Sequence, residues 1–417
     1  VENTRKKKIV VLSDHALSTS GVGTQTRHLI HGLLEKGTWS FRQLGAAMKH
    51  ASYDVITVND DFIIKPVDGF GTKEQIRLIL ATEKPDGILI FTDPRFFVWF
   101  FEIEDEVRQV CPIFYWHVWD NAPYPAFNNP YYDSCDLINC HSYHTFEQVS
   151  EKYPEKTNFV PHALPNDIFY EIPEEEKNAM KKQFFGDSGE DLFIGFWMNR
   201  NAKRKRPGDL LLAWSMFIKT LEKNHGHKKA KLIMHTDPRD NEGPNLIAIV
   251  DMLGIRDNVL FSNQRVGFKE INILHNIADF TINISFAEGF GLSTLEAMQT
   301  GTPIIAPKTG GQTRQVVDHR DGSENGFALP IEFKTLVGSQ NVPYIYEDYT
   351  SIETIAEKIT AMYELGKEGR KALGEKAKKY VESEFNYQKT IDLWHDTMNE
   401  TIEKFQKNTR RFTWSSL

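Results

Sequence analysis

Cysteine is scarce in this chain and badly placed for pairing. Among 417 residues there are only Cys111, Cys135 and Cys140, an odd number, without Cys-x-x-Cys spacing and each inside an apolar stretch. That argues against a disulfide framework and suits three reduced core thiols in a cytosolic compartment. Long apolar runs are missing too: none approaches the ~18 residues needed to span a bilayer, and the start, Val1 to Lys8, is charged rather than leader-like. A cytoplasmic protein is expected. Positive charge is not in excess either. The formal net charge is -8, with Lys and Arg scattered, so no nucleic-acid partner is expected. No long internal repeat and no low-complexity tract is visible.

What is present is an ordinary globular balance, 40% hydrophobic and 25% charged residues, so the chain should fold throughout. At ~100 to 200 residues per domain this length predicts two domains. The densest aromatic cluster, Phe96, Phe97, Trp99, Phe100 and Phe101, reads as a buried helix, with peripheral membrane contact as the alternative.

Short apolar runs rich in β-branched residues alternate with helical patterns from end to end, the signature of parallel βαβ units. In the first half the spacing predicts strands at Lys8 to Ser13, Gly87 to Thr92, Pro112 to Val118, Leu137 to Cys140 and Asn158 to Pro161, with helices at Gln25 to Leu34 and Lys73 to Ala81. Ile172 to Lys181 turns to Pro, Glu and Lys and is expected to be a linker. A second series follows at Leu192 to Trp197, Ala230 to His235, Val259 to Ser262, Phe280 to Ile284 and Pro303 to Ala306. Two doubly wound α/β sheets are therefore expected, with ligands beyond the carboxyl ends of the strands, in a cleft if the two face each other. From Ile352 to Lys407 the chain reads as nearly continuous helix.

The most informative segment is Ala287-Glu288-Gly289-Phe290-Gly291-Leu292-Ser293-Thr294-Leu295-Glu296-Ala297-Met298. It joins a strand end to a helix start. Glycines there let backbone approach a ligand, and first-turn amides face outward to receive phosphate oxygens. Glu288 in the loop and Glu296 about a turn into the helix can each accept hydrogen bonds from sugar hydroxyls. The blander alternative is two helix-end acids favoured by dipole and solvent.

Glu288 to Glu296 with Gly-Phe-Gly between, then Leu295-Glu296-Ala297-Met298, Gly301-Thr302-Pro303 and Gly310-Gly311, resembles the Glu-x7-Glu signature of family-4 retaining glycosyltransferases over about 25 residues. The resemblance implies a GT-B fold: a Rossmann-like acceptor-side domain at 1–173, a Rossmann-like donor domain at 174–385, the two facing across a cleft, and a C-terminal helix at 386–417 returning to the first domain. It implies that Glu288 contacts the donor sugar, that Gly289, Phe290, Gly291 and Leu295 hold sugar and phosphate through their amides, and that Glu296 holds the ribose. After Gly310-Gly311 the family commonly has an acidic residue, where this chain has Gln312-Thr313-Arg314-Gln315.

A cationic stretch, Asn199 to Pro207, follows the first strand of the second series. Fixed cations can stabilise a departing diphosphate without a metal. Arg200 and Lys205 match the family's diphosphate clamp, with Arg206 as the alternative second cation. As a lone feature, such a run would be a solvated turn. In the first half, Ser18-Thr19-Ser20-Gly21-Val22-Gly23 opens a helix. The third glycine of a dinucleotide fingerprint is absent, and the resemblance carries Gly21 and Gly23 over as donor contacts. His117, at a strand end, is expected to contact substrate.

These residues imply a retaining hexosyltransferase using a nucleotide-diphosphate sugar, GDP-mannose or UDP-glucose in type, on a glycan, lipid-linked or small-molecule acceptor. No metal or other cofactor is expected, since the histidines lack ligand spacing. The rivals are a non-catalytic nucleotide-sugar-binding module and an NAD-dependent oxidoreductase motivated by Gly21-Val22-Gly23. The acceptor's identity and the oligomeric state carry no signal in the chain.

Overall fold

In the computed structural model of the chain, which describes residues 5–408, two compact units are present. The first comprises residues 5–119, 123–162 and 387–408; the second comprises Asp120–Ala122 and Ala163–Asn386.

The first unit is built on an eight-stranded sheet: β1 Lys7–Asp14, β2 Trp39–Ala46, β3 Ile56–Asn59, β4 Phe62–Pro66, β5 Gly87–Phe91, β6 Ile113–His117, β7 Leu137–Cys140 and β8 Thr157–Phe159. Their order is β3-β4-β2-β1-β5-β6-β7-β8, and every pairing is parallel except β3 with β4. Side chains alternate across a strand, so Ile9 and Val11 face one layer with Leu29 and Leu33. Val10 and Leu12 face the other with Ile76 and Leu80. Both faces are covered, which is why the central strands read as continuous apolar runs.

The helix Tyr387–Asn408 belongs to this unit, burying Ile391, Trp394, Met398 and Ile402 on one stripe. Tyr387 donates to the carbonyl of His28 at 2.5 Å, and Trp39 Nε1 to His395 Nδ1 at 3.0 Å. Of the helix expected over 386–417, residues 409–417 lie outside the described residues. In the aromatic cluster, Phe97 and Phe100 are buried in the core, while Phe96 is exposed. Cys111, Cys135 and Cys140 are buried and unpaired, and burial pushes all three thiols up. Among the described residues no helix is long and apolar enough to cross a membrane.

The second unit has a six-stranded parallel sheet: β9 Phe193–Met198, β10 Ala230–His235, β11 Val259–Ser262, β12 Phe280–Ile282, β13 Ile304–Pro307 and β14 Phe327–Leu329, in the order β11-β10-β9-β12-β13-β14. A separate antiparallel hairpin follows, β15 Phe333–Val337 and β16 Ile345–Tyr349.

The expected linker at Ile172 to Lys181 is instead part of this unit. Leu164 and Phe169 join its core, and the helix Glu174–Phe185 begins directly after Pro173. Three glutamates in its first turn favour the positive helix end. Met180 and Phe185 pack against the sheet, and Lys181, buried, reaches Asp279 at 3.5 Å. The segment looked like a linker because its one apolar stripe is narrow.

Candidate functional site

Strand β12 ends in a loop whose shape is set by its own polar side chains. Asn283 Oδ1 accepts from the Ser285 amide at 2.8 Å. Glu288 Oε2 accepts from Asn283 Nδ2 at 3.3 Å and from Ser285 Oγ at 3.2 Å. The amide of Gly311 donates to the carbonyls of both Glu288 and Gly289 at 3.1 Å, locking the loop against the start of the segment after β13. Contact there is so close that a Cβ on Gly310 would stand 2.0 Å from the Glu288 carbonyl oxygen. Gly291 then turns the chain at φ +89° into the helix Leu292–Gln299, a conformation suited to glycine. The amides of Thr294 and Leu295 already donate to the Gly291 carbonyl at 3.2 and 3.1 Å. The outward amides of the helix mouth are those before Thr294, at Leu292 and Ser293.

The cations are sorted by the turn after β9. Lys203–Lys205 is a single 3-10 turn, and Arg206, at φ +53°, caps the helix Pro207–His225. The turn points Lys205 to Glu288, and they form a close ion pair with side chains only 12% and 10% exposed. Arg204 lies on the same carboxylate: its Nη1 is 3.6 Å from Glu288 Oε1, 3.3 Å from Asp120 Oδ2 and 2.6 Å from the Ala287 carbonyl oxygen. Its own carbonyl accepts from the Phe286 amide at 3.1 Å. Burial alone would raise the Glu288 carboxyl, but the charges of Lys205 and Arg204, with hydrogen bonds from Lys205 and Asn283, hold it down at about 2. Burial pushes the Lys205 ammonium below its ordinary value, with Glu288 opposing.

Two expected cations point elsewhere. Arg200 is 64% exposed and spends its fork on Asp240 at 2.8 and 3.2 Å. Arg206 donates to Asp209 at 2.8 Å and to the Thr350 carbonyl at 3.1 Å, with its guanidinium over the Tyr349 ring at 5.1 Å. Sequence spacing counts cations but not their directions, which is why Arg204 escaped notice. A basic residue adjacent to Lys205 was the only signal available.

Glu296 sits on the helix beyond the mouth, its Oε2 3.1 Å from Nε2 of the fully buried His275, whose Nδ1 lies 3.2 Å from Thr281 Oγ1. The side chains of Phe290 and Leu295 are core, Phe290 lying edge-on to Phe385 at 5.5 Å, so a ligand contact from Phe290 is through backbone, while the Leu295 amide, expected to hold the ligand, is spent on the Gly291 carbonyl. Gln312 and Gln315, standing where the family tends to be acidic, are both buried. Gln312 donates to Thr294 Oγ1 at 2.9 Å and Gln315 to the Phe290 carbonyl at 2.7 Å.

In the first unit, Gly21 begins the helix Gly21–Leu34 and the Gly23 amide donates to the capping Ser20 Oγ at 3.0 Å. Ser20 Oγ in turn donates to Asp14 at 2.6 Å. His117, expected to contact substrate, is fully buried, with Nε2 2.6 Å from the Tyr132 hydroxyl. Burial pushes its pKa well below the ordinary histidine value.

Residues 181–332, which contain the cations from Arg200 to Arg206 and both Glu288 and Glu296, match the family described as glycosyl transferases group 1. The D-inositol 3-phosphate glycosyltransferase of Stackebrandtia nassauensis is 28% identical over 172 residues, 40% of this chain and 37% of that protein. The N-acetyl-alpha-D-glucosaminyl L-malate synthase of Bacillus anthracis is 23% identical over 236 residues, 56% of this chain and 51% of that protein. The chain thus spans between about a third and a half of the length of these curated relatives. Among solved structures, sucrose-phosphate synthase from Thermosynechococcus elongatus superposes with a TM-score of 0.73 at 15% identity, over 96% of this chain and 100% of that one. Anabaena HepE, in complex with UDP and glucose, gives 0.68 at 15% identity, over 94% of this chain and 100% of that one. The chain has the GT-B fold, and its likeness to the group 1 glycosyl transferases lies in the second unit, at residues 181–332.

Proposed function

We propose that this protein is a retaining glycosyltransferase, moving a hexose from a nucleoside-diphosphate sugar to an acceptor hydroxyl. The observation that carries the proposal is the enclosed Glu288 carboxylate, held by Lys205 at the mouth of the helix Leu292–Gln299. A sugar nucleotide needs acceptors for its hydroxyls and donors or cations for its diphosphate, side by side, and both stand here. The group 1 family match over these residues and the UDP and glucose of the Anabaena complex support the same ligand class.

In the proposed reaction the anomeric carbon gains oxocarbenium character as the diphosphate leaves, and the helix-mouth amides and Lys205 take the developing negative charge. Glu288, whose Oε2 is engaged by Lys205, Asn283 and Ser285, is assigned to binding rather than attack. A retaining glycosidase would need a second carboxyl about 5 Å away as its acid, and Glu296, the other carboxylate of this loop and helix, is engaged by His275 instead. Front-face substitution follows, with the leaving phosphate helping to deprotonate the acceptor and the anomeric configuration retained. Glu296, steadied by His275, is assigned to the ribose. Gly21 and Gly23 keep their proposed roles as donor contacts, whereas His117, with no exposed surface and its Nε2 on the Tyr132 hydroxyl, is reassigned from substrate contact to a buried structural histidine. Family-4 membership, a cytoplasmic setting and the absence of a resident cofactor belong to the same proposal.

The test is a thermal-shift screen across nucleoside diphosphates, followed by hydrolysis and transfer assays with the matching sugar nucleotides. A ligand far above its Kd raises Tm by linkage. Binding without turnover would leave a sugar-nucleotide-binding module, and no shift with any nucleotide would end the proposal.

A further inference from the structure

Five cations lie between Arg200 and Arg206, and they are employed differently. Arg200 is taken by Asp240, Arg206 by Asp209 and the Thr350 carbonyl, and Lys203 is exposed. Lys205 and Arg204 turn to Glu288. Building on the sugar-nucleotide function proposed above, we propose that Arg204 is the second diphosphate-binding cation beside Lys205, and that Asp120 holds its place as an internal counter-ion until the donor arrives.

Charge balance is the first argument. Lys205 and Arg204 face Glu288 and Asp120, two cations against two carboxylates, so the cluster is neutral at rest. A diphosphate adds at least two negative charges, and one carboxylate must yield if both cations are to serve it. Glu288 is tied down by Lys205, Asn283 and Ser285. Asp120 is 29% exposed and meets Arg204 at 3.3 Å, longer than a charge-assisted hydrogen bond. Asp120 is the member that yields.

Geometry is the second. Arg204 is fixed by backbone at both ends, its carbonyl by the Phe286 amide and its Nη1 by the Ala287 carbonyl. All the contacts given above use Nη1. A guanidinium carries five N–H donors in a fork, which leaves capacity for a phosphate oxygen pair. Asp120 is not free to drift: the neighbouring Asn121 Nδ2 donates to the Tyr346 carbonyl at 2.7 Å, and the Tyr346 amide donates to the Ala122 carbonyl at 2.7 Å. Residues 120–122 are thus strapped to strand β16, which keeps the counter-ion beside the cation and makes it compete with the ligand.

The experiment is titration calorimetry of the full chain with GDP and with UDP, using whichever binds the wild type. Arg204→Gln should weaken the Kd by about tenfold or more, and Arg204→Lys, which keeps charge without the fork, should fall in between. Asp120→Asn should tighten it by about threefold to tenfold, the opposite sign. Lys203→Gln, removing the same charge one residue away, should stay within about twofold. Thermal melts establish that each variant is folded. An unchanged Kd in folded Arg204→Gln, an unchanged or weaker one in Asp120→Asn, or an equal loss in Lys203→Gln overturns the assignment. A large loss in Arg200→Gln with none in Arg204→Gln returns the clamp to Arg200. A wild type that binds neither nucleotide takes the function proposed above down first, and this assignment with it.

Discussion

The ammonium of Lys205 and the carboxylate of Glu288, 83 residues apart in sequence, meet as an ion pair between the turn after β9 and the loop after β12. Two adjacent parallel strands deliver them, since β9 and β12 are paired neighbours. Beyond the carboxyl ends of such strands the loops converge, and here both carry charge.

That pair has a pH signature. Glu288 is held at about 2, below its ordinary 4.5, so its contribution to stability is fully present above about pH 4.5 and is lost as pH falls through the folded value. Urea denaturation of the wild type between about pH 2 and 4.5 should show stability falling with pH, and Glu288→Gln should flatten part of that slope. Equal slopes in the two proteins would count against the pairing.

Arg206 is a structural cation. It is left-handed at φ +53°, buried, and engaged by Asp209, the Thr350 carbonyl and the Tyr349 ring. Arg206→Ala should lower unfolding free energy by about 1 to 3 kcal/mol through the lost charged hydrogen bonds and ring contact. Nucleotide affinity of the folded variant should stay near wild type. A selective loss of affinity at unchanged stability would place Arg206 on the ligand instead.

At Gly310 the expectation is steric. A Cβ would stand 2.0 Å from the Glu288 carbonyl oxygen, at φ +49°. Gly310→Ala should push the 288–291 loop away from the Gly311 amide, cost about 2 kcal/mol or more, and abolish sugar-nucleotide turnover. A variant with wild-type Tm and turnover would mean that the two loops are not in register.

His117 should stay neutral. Burial lowers its pKa well below the ordinary histidine range, so its NMR shifts should not titrate between about pH 5 and 8. Tyr132→Phe should cost about 1 kcal/mol by removing the hydroxyl 2.6 Å from Nε2. A titrating ring near neutrality would show that solvent reaches it.

Much of the fold was legible because parallel strands covered on both faces are apolar throughout: β5, with every residue buried, could hardly be missed. Strand β2 was missed because Arg42 and Gln43 interrupt it. Gln43 is nonetheless buried, donating to Ser13 Oγ at 2.8 Å and to the Asp14 carbonyl at 2.7 Å and accepting from the Ala16 amide at 3.1 Å. Its partners lie on the chain from β1 onward, out of sight of any local pattern. The hairpin β15–β16 escaped for the opposite reason: β15 is largely exposed, so no apolar alternation marks it.

By itself the sequence determined the layered α/β architecture in two units and the strand-loop-helix passage from Phe280 to Met298, because periodicity, glycine placement and helix starts are local properties of the chain. Only the tertiary structure decided which of the five cations serves Glu288. A single 3-10 turn aims successive side chains in different directions. The choice among them was made by long-range partners, Asp240 for Arg200, Thr350 for Arg206 and the Phe286 amide that draws Arg204 toward the loop, with Asp209, three residues on, adding a local hold on Arg206.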